Sequence, residues 1–489
     1  MTKNKIKGLL NKYTSLSVQV KASFWFLICG FLQKGVSIIT TPIFTRLLST
    51  AEYGQYSVFN SWLGIVSVFV TLQLYSGAFT QGMVKFENKK TKYASSIQGL
   101  CLTLVVCWTI IYLLFHEFWN NLFELTIVQM LAMLVLIWST SVFNFWSVEQ
   151  RVDLRYHTLV TITIVATLAK PLVGIVFVIL AEDKVTARIL GLALVELVCY
   201  TWMFFSQMHR GKTYFDRSFW KHALLFNLPL LPHYLSMVVL NSSDRIMINN
   251  MVGSNEAGIY SLAYSISQIT TVLNTALLQT IEPWMYKKIK AKRMEDLSGV
   301  AYPAVIGVSA VNILLIAFAP EAIALFAPPA YYDAIWVIPP VAMSVYFMFA
   351  YSFFAVFEFY YEKTKYIAIA TVSGAVLNIV LNYIFIKLFG YCAAGYTTLA
   401  CFIIFAVYHF HFMRKICKKE MGEVSPYSTR ILLIITGIFM VLGFALLFTY
   451  YNVFVRYVFI VLLFIVVIIK RKTILKMAKK ILDIRHSAE

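Results

Sequence analysis

The chain has 489 residues, of which 60% are hydrophobic and only 13% charged, about half the charged share of an ordinary soluble protein. That composition does not suit a soluble globular fold, and no stretch between apolar segments is long enough to build a separate catalytic core. The net charge of +19 does not point to nucleic acid, because the Lys and Arg sit in short runs flanking apolar segments and so report membrane topology.

At the N-terminus, Lys3, Lys5, Lys7, Lys12 and Lys21 precede an apolar run. It is longer than a signal-peptide core and has no convincing cleavage site, so it reads as a retained first span. Runs of bilayer length predict an all-α, multi-pass membrane protein with spans at 22–46, 57–81, 95–115, 125–147, 158–180, 187–206, 222–246, 258–281, 299–318, 334–357, 366–386, 396–413, 429–450 and 454–469. Bases concentrate in alternate connections, from Lys85 to Lys92, Arg210 to Lys221, Lys287 to Arg293, Arg414 to Arg430 and the tail from Lys470. The positive-inside rule then makes both termini cytoplasmic. Ile6, Leu9, Leu10 and Tyr13, and later Leu475, Ala478, Ile481 and Leu482, have the spacing of amphipathic helices on anionic headgroups. A solvated basic tail is the equally simple reading. The seven cysteines include no C-x-x-C pair, and Cys29, Cys101, Cys107, Cys199 and Cys401 lie in apolar runs as small hydrophobes.

Glu52-Tyr53-Gly54-Gln55-Tyr56-Ser57 and Glu256-Ala257-Gly258-Ile259-Tyr260-Ser261 share E-x-G-x-Y-S. Each is expected on the outer side just before an even-numbered span, after an Arg closing the previous one (Arg46, Arg245). That placement suggests duplication of a six-span unit. The chain is thus expected to comprise an amphipathic N-terminus (1–21), a six-helix bundle (22–206), a linker (207–221), a second six-helix bundle (222–413), two extra spans within 429–469, expected to face lipid, and a basic tail (470–489). Two such bundles around a central cavity is a transporter plan.

An ionisable group at mid-span costs roughly 2.5–3.5 kcal/mol and needs a cavity, a partner or a role. Lys34, Lys170, Glu196 and His233 qualify by depth. Either a buried ion pair, such as a Lys with Glu196, or a water-filled cavity with surplus positive charge accounts for them. Aligning the halves on Arg46 and Arg245 sets Lys34 opposite His233. Arg46, Asp244 and Arg245 are expected near the outer mouth, as substrate contacts or interfacial pairs. Pro42, Pro171, Pro229 and Pro232 should interrupt spans 1, 5 and 7, marking cavity walls. Asn378 and Asn382, spaced i,i+4, share one face of span 11, as interhelical glue or as substrate contacts, and Gln268 and Asn274 add polar groups to span 8.

A cationic cavity suits phosphate or pyrophosphate, which Arg grips with paired donors and Lys with a point charge. It would repel a cationic drug. Gly211-Lys212-Thr213 lacks the first glycine of a phosphate loop, Ser206 standing there, so no ATPase is expected and transport must draw on a gradient or an external partner. Glu196 and His233 are the candidates for proton coupling. His409 and His411 point about 200° apart on a helix, so no metal site is expected, nor any cofactor. A membrane-embedded sugar polymerase should carry a large outer loop, and the longest outer connection, 319–333, is short.

Thr45-Arg46-Leu47-Leu48-Ser49 with Glu52-Tyr53-Gly54-Gln55-Tyr56 resembles the opening of the Wzx-type polysaccharide flippases, in the superfamily that includes MATE exporters and lipid II flippases. Asp244-Arg245-Ile246-Met247-Ile248 through Ser261, and Glu362-Lys363-Thr364-Lys365 followed by Asn378 to Asn382, Phe389-Gly390, Ala393-Ala394 and Thr397-Thr398, look like later signatures of that family. Lys387 and Cys392 depart from it, where relatives often have Pro and Gly. The resemblance spans essentially the whole chain. It implies a V-shaped, MATE-like transporter of the bacterial inner membrane and no enzymatic activity. The implied cargo is an undecaprenyl-pyrophosphate-linked oligosaccharide moved to the outer leaflet for O-antigen or capsule assembly, by alternating access with proton or sodium antiport. Lys34, Arg46, Lys170, Asp244, Arg245, Asn378 and Asn382 are then the candidate substrate contacts. Partners would be membrane lipids, a polysaccharide polymerase and a chain-length regulator, with no nucleic acid. A MATE-like small-molecule exporter and the sugar polymerase are the rivals.

Overall fold

The computed structural model describes residues 17–422 and 425–472. The amphipathic segments expected near residues 6–13 and 474–482 lie outside them. Among the described residues there is no β-strand, and eleven helices are long and apolar enough to cross a membrane. Contacts divide the chain into two units, one of residues up to Leu48 with Phe59–Val238, the other of Ser49–Val58 with the chain from Val239 onward.

The first unit holds α1 (Val18–Leu47), most of α2 (Thr50–Thr71), α3 (Ala78–Lys85), α4 (Lys90–Leu114), α5 (His116–Phe123), α6 (Ile127–Val152), α7 (Tyr156–Leu180), α8 (Lys184–Gly211), α9 (Arg217–Asn227) and the start of α10 (Leu231–Met251). Polar side chains set several of the starts. Thr126 and Gln129 close a capping box on α6, and Asp183 and Asp216 accept from the first free amides of α8 and α9. Packing is closest where side chains vanish: a Cβ on Gly191 would lie 3.2 Å from the Gly174 Cα, so α7 and α8 meet nearly backbone to backbone.

Two expected spans are broken here. The helix expected over 57–81 starts earlier, at Thr50, and ends at Thr71, because Leu72 and Gln73 adopt φ of 50° and 51° and Gly77 follows at 48°. The expected span 7 is interrupted by a 3-10 turn at Leu228–Leu230, in which Pro229 cannot donate to a helix. One residue serves both breaks. Asn227, fully buried, donates to the carbonyls of Leu72 (3.0 Å) and Gln73 (2.7 Å), which a continuous helix would have satisfied itself. By contrast α1 and α7 run on through Pro42 and Pro171.

The second unit comprises Ser49–Val58 of α2, the rest of α10, α11 (Ser254–Ser267), α12 (Thr271–Lys290), α13 (Glu295–Ala317), α14 (Ala319–Phe326), α15 (Ile338–Tyr360), α16 (Thr364–Phe389), α17 (Ala393–Met421), α18 (Thr429–Phe448) and α19 (Val453–Ile469). Span 8, expected continuous, is divided by a 3-10 turn at Gln268–Thr270. α19 is 17 residues long and falls below the length of the eleven. Its Arg456, 4% exposed, pairs with Glu321 of α14, and Tyr457 donates to the same carboxylate at 2.7 Å. The start of α19 is therefore pinned to this unit by charge, although most of α19 bears exposed apolar side chains.

The two E-x-G-x-Y-S motifs do not precede their helices, as the sequence suggested, but form the first turns of α2 and α11, and they pack on each other. A Cβ on Gly54 would fall 2.0 Å from the Ser254 carbonyl oxygen, and one on Gly258 would fall 2.0 Å from that of Thr50. Thr50 Oγ1 donates to Asn255 Oδ1 at 2.6 Å across the same crossing, and Tyr53 meets Tyr331 edge to face. Only glycine lets two helices approach so closely.

Candidate functional site

Lys170 of α7 and Glu196 of α8 sit on facing helices of the first unit. Lys170 Nζ lies 2.6 Å from Glu196 Oε1 and 5.5 Å over the Tyr200 ring, while Thr140 of α6 donates to Glu196 Oε2 at 2.7 Å. Of the two readings the sequence left open for this Lys, the structure has the ion pair. The pair borders an aromatic core of Trp146, Tyr200 and Phe204, flanked by Trp138 and Phe143.

Lys34 differs. It stands midway along α1, is exposed, and has no hydrogen bond or ion pair among the described residues. Arg46, near the end of the same helix, is also exposed and donates to the Pro42 carbonyl at 2.9 Å. His233 is half-buried near the start of α10.

The second unit gathers three of the expected residues into one network. Asp244 of α10 is 1% exposed. Its Oδ2 accepts from Tyr260 Oη (2.6 Å, α11) and Thr398 Oγ1 (2.9 Å, α17), and its Oδ1 accepts from Asn382 Nδ2 (2.6 Å, α16). Thr397 donates to Asn382 Oδ1 in turn. Asn378, one turn before Asn382 and fully buried, accepts from Ser243 Oγ at 3.0 Å and from Asn382 Nδ2 at 3.2 Å, and its own Nδ2 has no hydrogen-bond partner among the described residues. Arg245, next in the chain, points elsewhere: its guanidinium lies 4.3 Å over the Tyr264 ring and donates to the Asn241 carbonyl at 2.8 Å. Asp244 and Arg245, paired at an outer mouth in the sequence reading, thus part to different surroundings. The two hydroxyls and the amide nitrogen that donate to Asp244 carry no charge. A buried carboxylate held by neutral donors can be balanced by a proton, or by a hard monovalent cation that displaces those donors.

Removing one donor tests whether the network is closed. Asn382→Leu withdraws a bond from Asp244 and leaves the Thr397 hydroxyl without its acceptor, with an expected loss of about 1–3 kcal/mol, read as a lower unfolding temperature in detergent. An unchanged transition would mean that water already satisfies these groups.

Sequence reasoning passed over two buried glutamates near span ends, Glu149 of α6 and Glu358 of α15, 1% and 0% exposed. Arg210 grips Glu149 with two bonds of 2.7 and 2.9 Å. Gln207 adds a third at 2.7 Å and is itself held by Gln98 at 2.7 Å. A depth criterion misses such groups because they adjoin polar connections; the signal available was a Glu just after the fourth and the tenth expected spans.

The family described as polysaccharide biosynthesis protein matches residues 20–288, more than half of the chain. The chain belongs to this family. Among curated relatives, this polysaccharide biosynthesis protein is 23% identical over 293 residues to "Lsg locus putative protein 1" of Haemophilus influenzae, covering 56% of this chain and 67% of that one. It is 20% identical over 369 residues to an uncharacterized membrane protein of the same organism, covering 73% and 88%. Among solved structures it is similar to the lipid II flippase MurJ in an inward closed conformation, with a TM-score of 0.58 and 14% identity over 88% of this chain and 98% of that one. A multidrug resistance MATE family transporter of the MOP superfamily, inward-facing, gives a TM-score of 0.59 and 16% identity over 79% and 96%. At such identities the structural likeness establishes the fold alone, that of a multi-pass helical protein. The resemblance drawn from the motifs is borne out at the level of family and fold.

Proposed function

We propose that this chain is a flippase that moves an undecaprenyl-pyrophosphate-linked oligosaccharide from the cytoplasmic to the outer leaflet of the bacterial inner membrane, by alternating access, for surface polysaccharide assembly. The observation that carries the proposal is the family match to polysaccharide biosynthesis proteins on a chain with a transporter fold. Lys34 supports the sign of the cargo: an exposed ammonium midway along an apolar helix, with no internal partner among the described residues, calls for an anion. A pyrophosphate supplies one.

Coupling is assigned to Asp244 ahead of the sequence candidates Glu196 and His233. Glu196 already has the Lys170 ammonium at 2.6 Å, whereas Asp244 has, among the described residues, only neutral donors in hydrogen-bond reach. Binding a proton or monovalent cation there, and losing it when the unit rearranges, would tie the cycle to an ion gradient.

Deleting the gene and separating surface polysaccharide on a gel tests the assignment. Loss of a flippase removes polymer, loss of a polymerase leaves single-unit chains, and loss of a small-molecule exporter leaves the polymer intact. In the deletion strain, Lys34→Ala is expected to restore markedly less polymer than the wild-type gene at equal protein level; full restoration would remove Lys34 from the cargo path.

A further inference from the structure

Glu358 and His409 are both buried, at 0% and 1% side-chain exposure, and His409 Nδ1 lies 2.7 Å from Glu358 Oε1. They join the end of α15, the tenth expected span, to α17, the twelfth. Glu358 Oε2 and His409 Nε2 have no hydrogen-bond partner among the described residues. The imidazole is stacked on Tyr351 (5.3 Å) and meets the edge of Phe405 (4.5 Å). The titratable groups around the pair come from each neighbouring element. Tyr351 lies on α15, Tyr408 on α17 donates to the Tyr366 carbonyl of α16, and Glu282 on α12 is within electrostatic reach of Tyr351. Tyr427, in the segment after α17, meets Phe357. Among the described residues, no Lys or Arg is within ion-pair distance of Glu358.

The first half has a counterpart in the same place of its own plan. Glu149, at the end of the fourth span, is joined to the end of the sixth by Arg210 and Gln207. A guanidinium never gives up its proton in a protein, so that clasp is permanent. In the second half the cation facing the glutamate, among the described residues, is an imidazolium, whose charge depends on one proton that the ring can lose.

We propose that Glu358 and His409 form an occluded proton site that holds α15 and α17 together at the base-rich end of the second unit and loosens when the proton leaves. With one proton the pair is an imidazolium and a carboxylate, neutral overall. Without it, a carboxylate is buried with no cation; with two protons, an imidazolium is buried with no anion. Both alternatives carry the cost of an unpaired buried charge. Neither group touches solvent, so exchange requires these helix ends to separate, and the unit takes up or gives up a proton whenever they do. The inference stands whichever cargo moves, because it concerns one unit alone.

The sign follows from the proton: the clasp is present while the imidazole is charged and is lost as pH rises. Purified full-length protein in detergent is expected to unfold several degrees lower at about pH 8 than at about pH 6. The double variant Glu358→Gln/His409→Gln, which keeps a hydrogen-bonding pair but no charge, should lose most of that difference. Glu149→Gln/Arg210→Gln should lower the unfolding temperature equally at both values. A pH difference undiminished in the first double variant, or absent from the wild type, overturns the proposal. Should the double variant not fold, Glu358→Asp shortens the reach to the imidazole and must displace the pH profile; a profile coincident with the wild type contradicts the site.

Discussion

Gly258→Ala is expected to destabilise the second unit severely, because its Cβ would fall 2.0 Å from the Thr50 carbonyl oxygen, a backbone atom. No rotamer change relieves that contact, and α2 and α11 must move apart. The cost should reach or exceed the upper end of overpacking, about 3 kcal/mol, and Thr50 and Asn255 would lose their 2.6 Å hydrogen bond as well. Gly54→Ala meets the Ser254 carbonyl at the same distance and should behave alike. The pair should not add, since either substitution alone already opens the crossing. Thermal unfolding in detergent of both single variants and the double is the measurement; a change of less than about 1 kcal/mol in each would mean that the helices do not touch there.

Lys170→Met should give the other large effect. It leaves the Glu196 carboxylate, 7% exposed, with the Thr140 hydroxyl as its remaining hydrogen-bond donor. Breaking one side of a buried pair costs about 3–5 kcal/mol. The lower end applies, because the Lys170 side chain is 29% exposed and partly screened. Lys170→Met/Glu196→Gln should recover most of the loss, since no unpaired charge is left behind. This cycle separates two roles. If Lys170 serves the fold, stability falls in the single variant and returns in the double. If it serves the cargo, transport falls while the unfolding transition stays put, and the double variant transports no better.

The all-helical, multi-pass character was legible because bilayer length is written directly in apolar composition, and eleven helices among the described residues are long and apolar enough to cross a membrane. Their interruptions were less so. Leu72 and Gln73 adopt positive φ without any glycine to announce it, and the buried amide that rewards the break, Asn227, lies far away in sequence. Pro229 did announce its break, whereas Pro42 and Pro171 sit within continuous helices.

The site was legible as residue types and not as partnerships. Asp244, Asn378 and Asn382 were singled out separately, but their convergence depends on how α10, α16 and α17 pack, which no single-helix pattern carries. Asp244 was read together with Arg245 because they are adjacent, yet consecutive residues on a helix point about 100° apart, and the two side chains find different neighbours. His409 was weighed only against His411, while its partner lay on α15. The repeat motif was found by its letters, and its physical reason, two glycines that let the two copies cross, appears only in three dimensions.

The central claim is transbilayer movement of a lipid-linked glycan, and reconstitution tests it most directly. Proteoliposomes carrying an undecaprenyl-pyrophosphate-linked oligosaccharide in both leaflets are treated with a membrane-impermeant glycosidase. With the wild-type protein, nearly all of the glycan should become cleavable, in a manner sensitive to an imposed ion gradient and lost in Asp244→Ala. Cleavage that stops at the outer-leaflet fraction found in protein-free vesicles, with folded protein present, would contradict the account.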